Sequence, residues 1–347
     1  MKQIKQQEIA ERLNLSRATV SRCFTNHKGI NPETRARVFE EASQLGYHHL
    51  SSRVVKSDEK TTTLGVLICN DVDDSETTEY ESPWRNLLKG ISEYSQIKGI
   101  DLSIHFIDPT AKSIDSKSYR DLLNHHGKDW DGILLLYPFP KDVLDALSLK
   151  FPCVSLVEQR SKNHHNCVDV DHYQGIALLV NHLFELGHSR ISFYSKKYKL
   201  SQSWSLKRAG AYFAKMTQLG LDFDQDQMIN VHPDRMVQLE ESFDLAAEQV
   251  KNGITAIVCA ADHQAYDLIN GLRERGIKVP EDVSVTGFDG IEAPDDTLKL
   301  CTVKIPNQQI GYFATERVFE LLNKRYSPAS HTLLGCTLLE GNSVRKL

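Results

Sequence analysis

Between positions 16 and 22 the chain reads Ser-Arg-Ala-Thr-Val-Ser-Arg, a short span dense in hydroxyls and guanidiniums. An arginine fork can donate two hydrogen bonds to guanine O6 and N7, worth about 1 to 3 kcal/mol of discrimination. Hydroxyls and helix-start amides mainly hold phosphates and fix register. On a helix from Arg17 to about Phe24, Val20 and Phe24 stand at i, i+4 on the inner side. Arg17, Ala18, Ser21 and Arg22 then point outward, with Thr19 near the helix start. Ser16 is a good N-cap, its hydroxyl placed to accept from the amide of Ala18 or Thr19. Ser16, Arg17, Ala18, Thr19, Ser21 and Arg22 are therefore candidate contacts to DNA.

Such a helix needs neighbours to hold it. Ile9, Ala10 and Leu13 predict a preceding helix from near Gln6, interrupted by Asn14-Leu15-Ser16. Asn31 as cap, Pro32 at the first helical position and Glu33 in the first turn announce a third helix, which stops at Gly46 after Val38, Ala42 and Leu45. Two helices joined by a tight turn form a helix-turn-helix, and Ala10 is small enough for a close crossing. The plainer alternative is a small helical domain with a solvated basic face.

The whole chain has 347 residues, 41 Lys and Arg against 46 Asp and Glu, and a formal charge of −5, which at face value speaks against a nucleic-acid partner. Residues 1 to 60 alone hold 11 basic and 7 acidic residues, net +4, leaving 30 and 39, net −9, in the remainder. A basic head precedes an acidic body. The composition, 40% hydrophobic and 25% charged, is that of a globular chain and excludes a disordered or collagen-like one. The first residues lack the apolar core, about 7 to 15 residues long, of a signal peptide, and no apolar run reaches the roughly 18 needed to span a bilayer. The expectation is a cytoplasmic protein with no membrane partner. The seven cysteines form no CxxC pair and read as buried thiols.

From Thr63 the chain alternates apolar strands and helices: Leu64 to Cys69, Pro83 to Lys98, Leu102 to Ile107, Ser118 to His126, Gly132 to Tyr137, Val143 to Leu149 and Cys153 to Val157. A second series starts at Val168-Asp169-Val170-Asp171 and runs through Gln174 to Leu186, Arg190 to Tyr194, Trp204 to Leu219, Ala256 to Cys259, His263 to Arg275 and Val283 to Phe288. This texture predicts parallel sheets covered on both faces, in two lobes. Ligands of open α/β sheets bind beyond the carboxyl ends of strands, so facing lobes would make a cleft that closes on a small molecule.

Little else carries chemistry. The acidic run from Asn70 to Ser82 lacks EF-hand spacing and reads as a solvated lid edge. The pairs His125-His126 and His164-His165 point apart on a helix or strand, which makes poor metal sites. No GxSxG, P-loop, HExxH or Cys/His/Asp pattern is present, so no catalytic residue, metal or cofactor is expected.

The run Glu8-Ile9-Ala10-Glu11-Arg12-Leu13-Asn14-Leu15-Ser16-Arg17-Ala18-Thr19-Val20-Ser21-Arg22-Cys23-Phe24, with Thr34-Arg35 and Leu45-Gly46-Tyr47, resembles the DNA-binding head of LacI/GalR-type repressors. Glu185 to Ile191 and Arg273 to Asp289 resemble that family's two-lobed, periplasmic-binding-protein-like α/β body, so the likeness covers nearly the whole chain. The resemblance implies a small all-α helix-turn-helix head over residues 1–49, a hinge over 50–62 and a ligand-binding and dimerisation body over 63–347. It implies that Arg17, Ala18 and Arg22 face bases. It also implies a hinge helix that wedges apolar side chains into the minor groove, but here Lys56 stands where the wedging leucine is usual and Arg53 where a small residue is common. Val54 or Val55 would have to substitute, while Arg53 and Lys56 suit phosphates.

Three effector positions come with the resemblance: Trp84 to stack on the ligand, Arg208 to donate to its oxygens, and Asp289 to accept from sugar hydroxyls. Each also has a structural alternative, as packing anchor, surface charge and helix cap. Ala260-Ala261-Asp262 departs from the family's Asn-Asp, and Asp262 is expected to cap a helix from His263. The expected protein is a transcription regulator, a repressor, which binds a near-palindromic operator as a homodimer under a sugar-like effector. Two heads on successive major grooves roughly double the contacts of one. No leucine heptads follow Asn342, so a coiled-coil tetramer is not expected. The competing readings are a sugar-binding transport protein with an accessory helical domain, and an enzyme. The first lacks a secretion signal and the second an acid/base set.

Overall fold

A computed structural model describes residues 5–24, 27, 29–45, 61–69, 83–107, 111–158, 165–197, 203–222, 224–291, 298–323 and 328–347. The hinge residues Arg53, Val54, Val55 and Lys56, the acidic run and His164 lie outside them.

The head consists of α1 (Gln6–Arg12), α2 (Arg17–Phe24) and α3 (Pro32–Gln44). Ile9, Ala10, Val20, Cys23, Ile30, Val38 and Ala42 form its core. The inner side of α2 is thus Val20 with Cys23, where the sequence pointed to Val20 with Phe24. The small thiol fits the tight convergence of three helices, while Phe24 sits half-buried at the edge, tilted 5.2 Å from Phe39.

The body continues with β1 (Thr63–Ile68), α4 (Pro83–Lys98), β2 (Asp101–Phe106), α5 (Lys117–His125), β3 (Gly132–Leu136), α6 (Lys141–Lys150), β4 (Cys153–Leu156) and β5 (Asn166–Val170). Next come α7 (His172–Glu185), β6 (Ile191–Tyr194), α8 (Ser203–Gln218), β7 (Met228–Ile229), α9 (Leu239–Lys251), β8 (Ala256–Cys259), α10 (Asp262–Glu274), β9 (Ser284–Thr286), β10 (Thr302–Lys304), α11 (Asn307–Asn323), β11 (His331–Leu334) and β12 (Thr337–Leu339). The chain divides into two compact units. Unit one comprises Met1–Glu76, Ser82–Asp169 and Asn307–Leu333, and unit two comprises Thr77–Glu81, Val170–Pro306 and Leu334–Leu347.

Unit one holds a six-stranded sheet in the order β11-β5-β4-β3-β1-β2, parallel from β5 through β2. Its inner strands are buried on both faces, as their unbroken apolar runs require. Val168 does not open a second lobe, contrary to the sequence reading. It pairs with Leu156 in this first sheet, because Asn166 and Cys167 register with Val154 and Ser155. The chain also returns to unit one through α11, which periodicity had not singled out. There α11 packs on α4 through glycines: a Cβ at Gly90 would overlap the Gln308 carbonyl, and one at Gly311 the Leu87 carbonyl. On its other side α4 receives the head, with Arg85 paired to Glu33, Lys89 3.1 Å from Glu33 and Gln96 donating to the Ile30 carbonyl at 2.8 Å.

Unit two holds a parallel sheet in the order β7-β6-β8-β9 beside the antiparallel pair β10-β12. The chain's last residues brace it. Ser343 donates to the Val285 carbonyl and accepts from the Cys301 amide, while buried His188 hydrogen-bonds Thr255 and the Arg345 carbonyl, both at 2.9 Å. In each sheet the order reverses once, between β1 and β3 and between β6 and β8, and such switch points open a crevice at the strands' carboxyl ends.

Candidate functional site

In the head, Ser16 Oγ accepts from the Thr19 amide at 3.0 Å and lies 2.9 Å from Thr19 Oγ1. The cap forms as the sequence implied, and it occupies the Thr19 hydroxyl as well. Asn14 takes φ 54° in the turn before α2, a left-handed conformation that asparagine tolerates better than most side chains. Asn31 caps α3 through its Oδ1, 2.6 Å from the Thr34 amide. Fully buried Arg35 donates to the His27 carbonyl at 3.0 Å, tying α3 to the loop after α2. So positioned, α2 leaves Arg17, Ala18 and Arg22 exposed and Ser21 half-exposed, a face that a major groove can accept.

The second candidate site stands at the switch point of unit two. Arg208, on α8, is only 4% exposed. Its Nη1 donates to the Ala260 carbonyl at the end of β8 and to Asp289 Oδ1 at 3.2 Å, and its Nε donates to His172 Nδ1 at 3.2 Å. The guanidinium lies 3.7 Å from the ring centre of Phe288 and 4.7 Å from that of Trp204, cation–π distances that suit a delocalised cation. Asp289 holds φ 142° beyond β9, a region that costs a non-glycine residue about 1 to 3 kcal/mol and that accompanies functional sites.

Burial raises the Asp289 carboxyl above its usual range, and Arg208 pulls it back. Asp262 is pushed up to about 7 by burial and by the charge of Asp289. His263 is pushed down to about 3 by desolvation and by Lys196 and Arg208. Asp262 does not cap α10 as the sequence suggested: it is the first helical residue, behind Ala261. Its carboxylate instead accepts from Thr302 Oγ1 at 2.6 Å and from the Ile291 amide at 2.7 Å, fastening the turn that carries Asp289.

The structure therefore unites Arg208 and Asp289. Trp84 lies in unit one, buried at the start of α4 with its ring edge-on to Phe106 at 5.8 Å. His172, Phe288 and Trp204 were missed as partners of Arg208. No local pattern marks a contact between residues 36 positions apart. In unit one His165 bridges Asp145 and Ser148, each at 3.1 Å, and this anchors the approach to β5 on α6. All seven cysteines are free, and burial raises the Cys23 thiol to about 11 and Cys153 and Cys301 to about 12. Among the described residues, no group of three His, Cys, Asp or Glu side chains could hold a metal ion, and no helix is long and apolar enough to cross a membrane.

A helix-turn-helix with an exposed, arginine-bearing face, joined in one chain to α/β units with polar, desolvated strand ends, has the make-up of a DNA-binding regulator. Residues 5–49 match the family of bacterial regulatory proteins, lacI family, and residues 180–344 match a periplasmic binding protein-like domain. The regulator AscG of Escherichia coli is 28% identical over 92% of this chain and 93% of its own length. Catabolite control protein A of Priestia megaterium is 26% identical over 91% and 92%. Among solved structures, a complex of the transcriptional regulator CelR with cellobiose has a TM-score of 0.66 at 18% identity, covering 98% of this chain and all of that one. A lac repressor dimer bound to operator and the anti-inducer ONPF has a TM-score of 0.64 at 19% identity, covering 99% and all of it. The chain is therefore similar, at its head and over its body, to LacI-family transcription regulators.

Proposed function

We propose that this chain is a sequence-selective transcription regulator, a repressor, that binds operator DNA as a homodimer and changes its affinity when a sugar or sugar derivative occupies the strand ends of the body. The carrying observation is α2: capped by Ser16, buried through Val20 and Cys23, and presenting Arg17, Ala18 and Arg22 to solvent. Residues 1–49 are the head, 50–62 the hinge and 63–347 the body. Arg53 and Lys56 add phosphate contacts, and Val54 and Val55 serve any minor-groove insertion. Arg208 and Asp289 are the effector's polar partners. Trp84 is the aromatic that stacks on the ligand. Structural neighbours solved with cellobiose, sucrose, glucose and ribose support a sugar as effector class. The protein works in the cytoplasm, without catalysis or cofactor.

An effector that favours one body conformation by about 1 to 3 kcal/mol changes operator affinity roughly 5- to 150-fold. Gel shifts on genomic fragments, with and without neutral sugars, test the reading. Selective retardation at low salt, altered by a sugar, is expected; no selective binding at low salt would end it.

A further inference from the structure

We propose that His172 is a positioning residue for the effector site, fixing the in-plane orientation of Arg208 so that Nη2 is the guanidinium nitrogen turned to the effector. This rests on the reading of the unit-two strand ends as that site. Stacking on Phe288 and Trp204 stops Arg208 from tilting but leaves it free to turn within its plane. Hydrogen bonds in the plane remove that freedom, because a guanidinium is a rigid fork whose donors move together. Nη1 meets the Ala260 carbonyl and Asp289, and Nε meets His172 Nδ1. Among the described residues Nη2 has no protein acceptor.

His172 is itself well held. It is the first residue of α7, behind Asp171, whose side chain accepts from the Gln174 amide at 2.9 Å, and it is 5% exposed with its ring 6.1 Å from Phe288. A guanidinium offers no acceptor, so Nδ1 must carry the lone pair and the neutral ring must carry its proton on Nε2. Without that acceptor, the Arg208 Nε–H loses its partner in a desolvated site and the fork can turn toward Asp289, taking Nη2 out of line.

Full-length His172→Leu, His172→Asn and Arg208→Gln chains test this against the parent, with glucose, ribose, sucrose and cellobiose as probes. The readout is the ratio of operator affinity with and without each probe. His172→Leu should weaken the probe's half-effect concentration about tenfold or more, the cost of an unsatisfied buried donor. His172→Asn, whose Oδ1 replaces Nδ1, should stay within about threefold of the parent, a rescue that mere packing would not produce. If Arg208→Gln loses the response and His172→Leu keeps it, the positioning role is wrong and the site stands. If Arg208→Gln also responds like the parent, the site reading itself falls.

Should no probe move the parent, histidine-selective ¹⁵N spectra of the full chain decide. The His172 signals are those missing from His172→Asn. An unprotonated Nδ1 that shifts in Arg208→Gln supports the proposal, and a protonated Nδ1 overturns it.

Discussion

The outward face of α2 and the strand-end cluster of unit two rely on the same side chain in opposite surroundings. Arg17 and Arg22 are exposed, carried by one short helix whose cap and core lie within a few residues. Arg208 is desolvated, set over two rings and hydrogen-bonded to residues drawn from three other segments. An exposed arginine keeps its hydration until DNA replaces it, so its loss alters recognition and leaves the fold alone. A buried one is part of the fold, because its charge is balanced only by the groups around it.

The sharpest way to break this contrast is Arg208→Ala. It leaves Asp289 buried beside Asp262 without a counter-charge and should destabilise the protein by about 3 to 5 kcal/mol in denaturant unfolding. Arg22→Ala should shift the same curve by less than about 0.5 kcal/mol. Equal midpoints for the two variants would erase the distinction.

Acid–base behaviour separates the sites next. Asp262 has a folded pKa near 7, above the value near 3.8 of a free carboxyl. The folded state therefore holds its proton more tightly, and that share of stability is full below pH 3.8 and lost as pH rises through 7. Melting temperature measured between pH 4 and 8 should fall less steeply with pH in Asp262→Asn than in the parent. No comparable change is expected for Arg17 or Arg22 variants.

In the head, Arg22→Ala should cost about 1 to 3 kcal/mol of operator discrimination at fixed salt, while binding to random DNA weakens only as one phosphate contact would. Full selectivity in that variant would show that Arg22 does not read bases. Ser16→Ala removes the cap of α2 and should lower head stability by about 1 kcal/mol, visible in hydrogen exchange of the α2 amides with the body's amides unchanged. Smallest of all, Asn14→Gly should change stability by only a few tenths of a kcal/mol, since glycine accepts φ 54° readily.

Legibility followed the same divide. The limits of α2 and α4, the caps at Ser16 and Asn31 and the outward face of α2 could be read directly, because each depends on residues within one or two turns. Cys23 replaced Phe24 in the core because the packing of three helices, and not the period of one, decides which flanking residue fits. The strand at Val168 was recognised but placed in the wrong lobe, since an apolar run carries no label for the sheet it joins. The return of α11 escaped notice for a similar reason: the glycines that let it cross α4 have meaning only once both helices are present.

At the strand ends, family likeness pointed to Arg208 and Asp289, while capping preference alone gave Asp262 a cap it does not make. The pairing of Arg208 with His172 had no sequence signature at all.

By itself, then, the sequence determined the head, its charge and the outward face of α2, and the alternating texture of the body, because local hydrogen bonds and hydrophobic period act between near neighbours. Tertiary structure alone decided which strands share a sheet, that Asp262 fastens the turn behind Asp289, and that Arg208 is held by His172 and two rings. Those choices depend on desolvation and on partners far apart in the chain, and neither exists until the chain has folded around them.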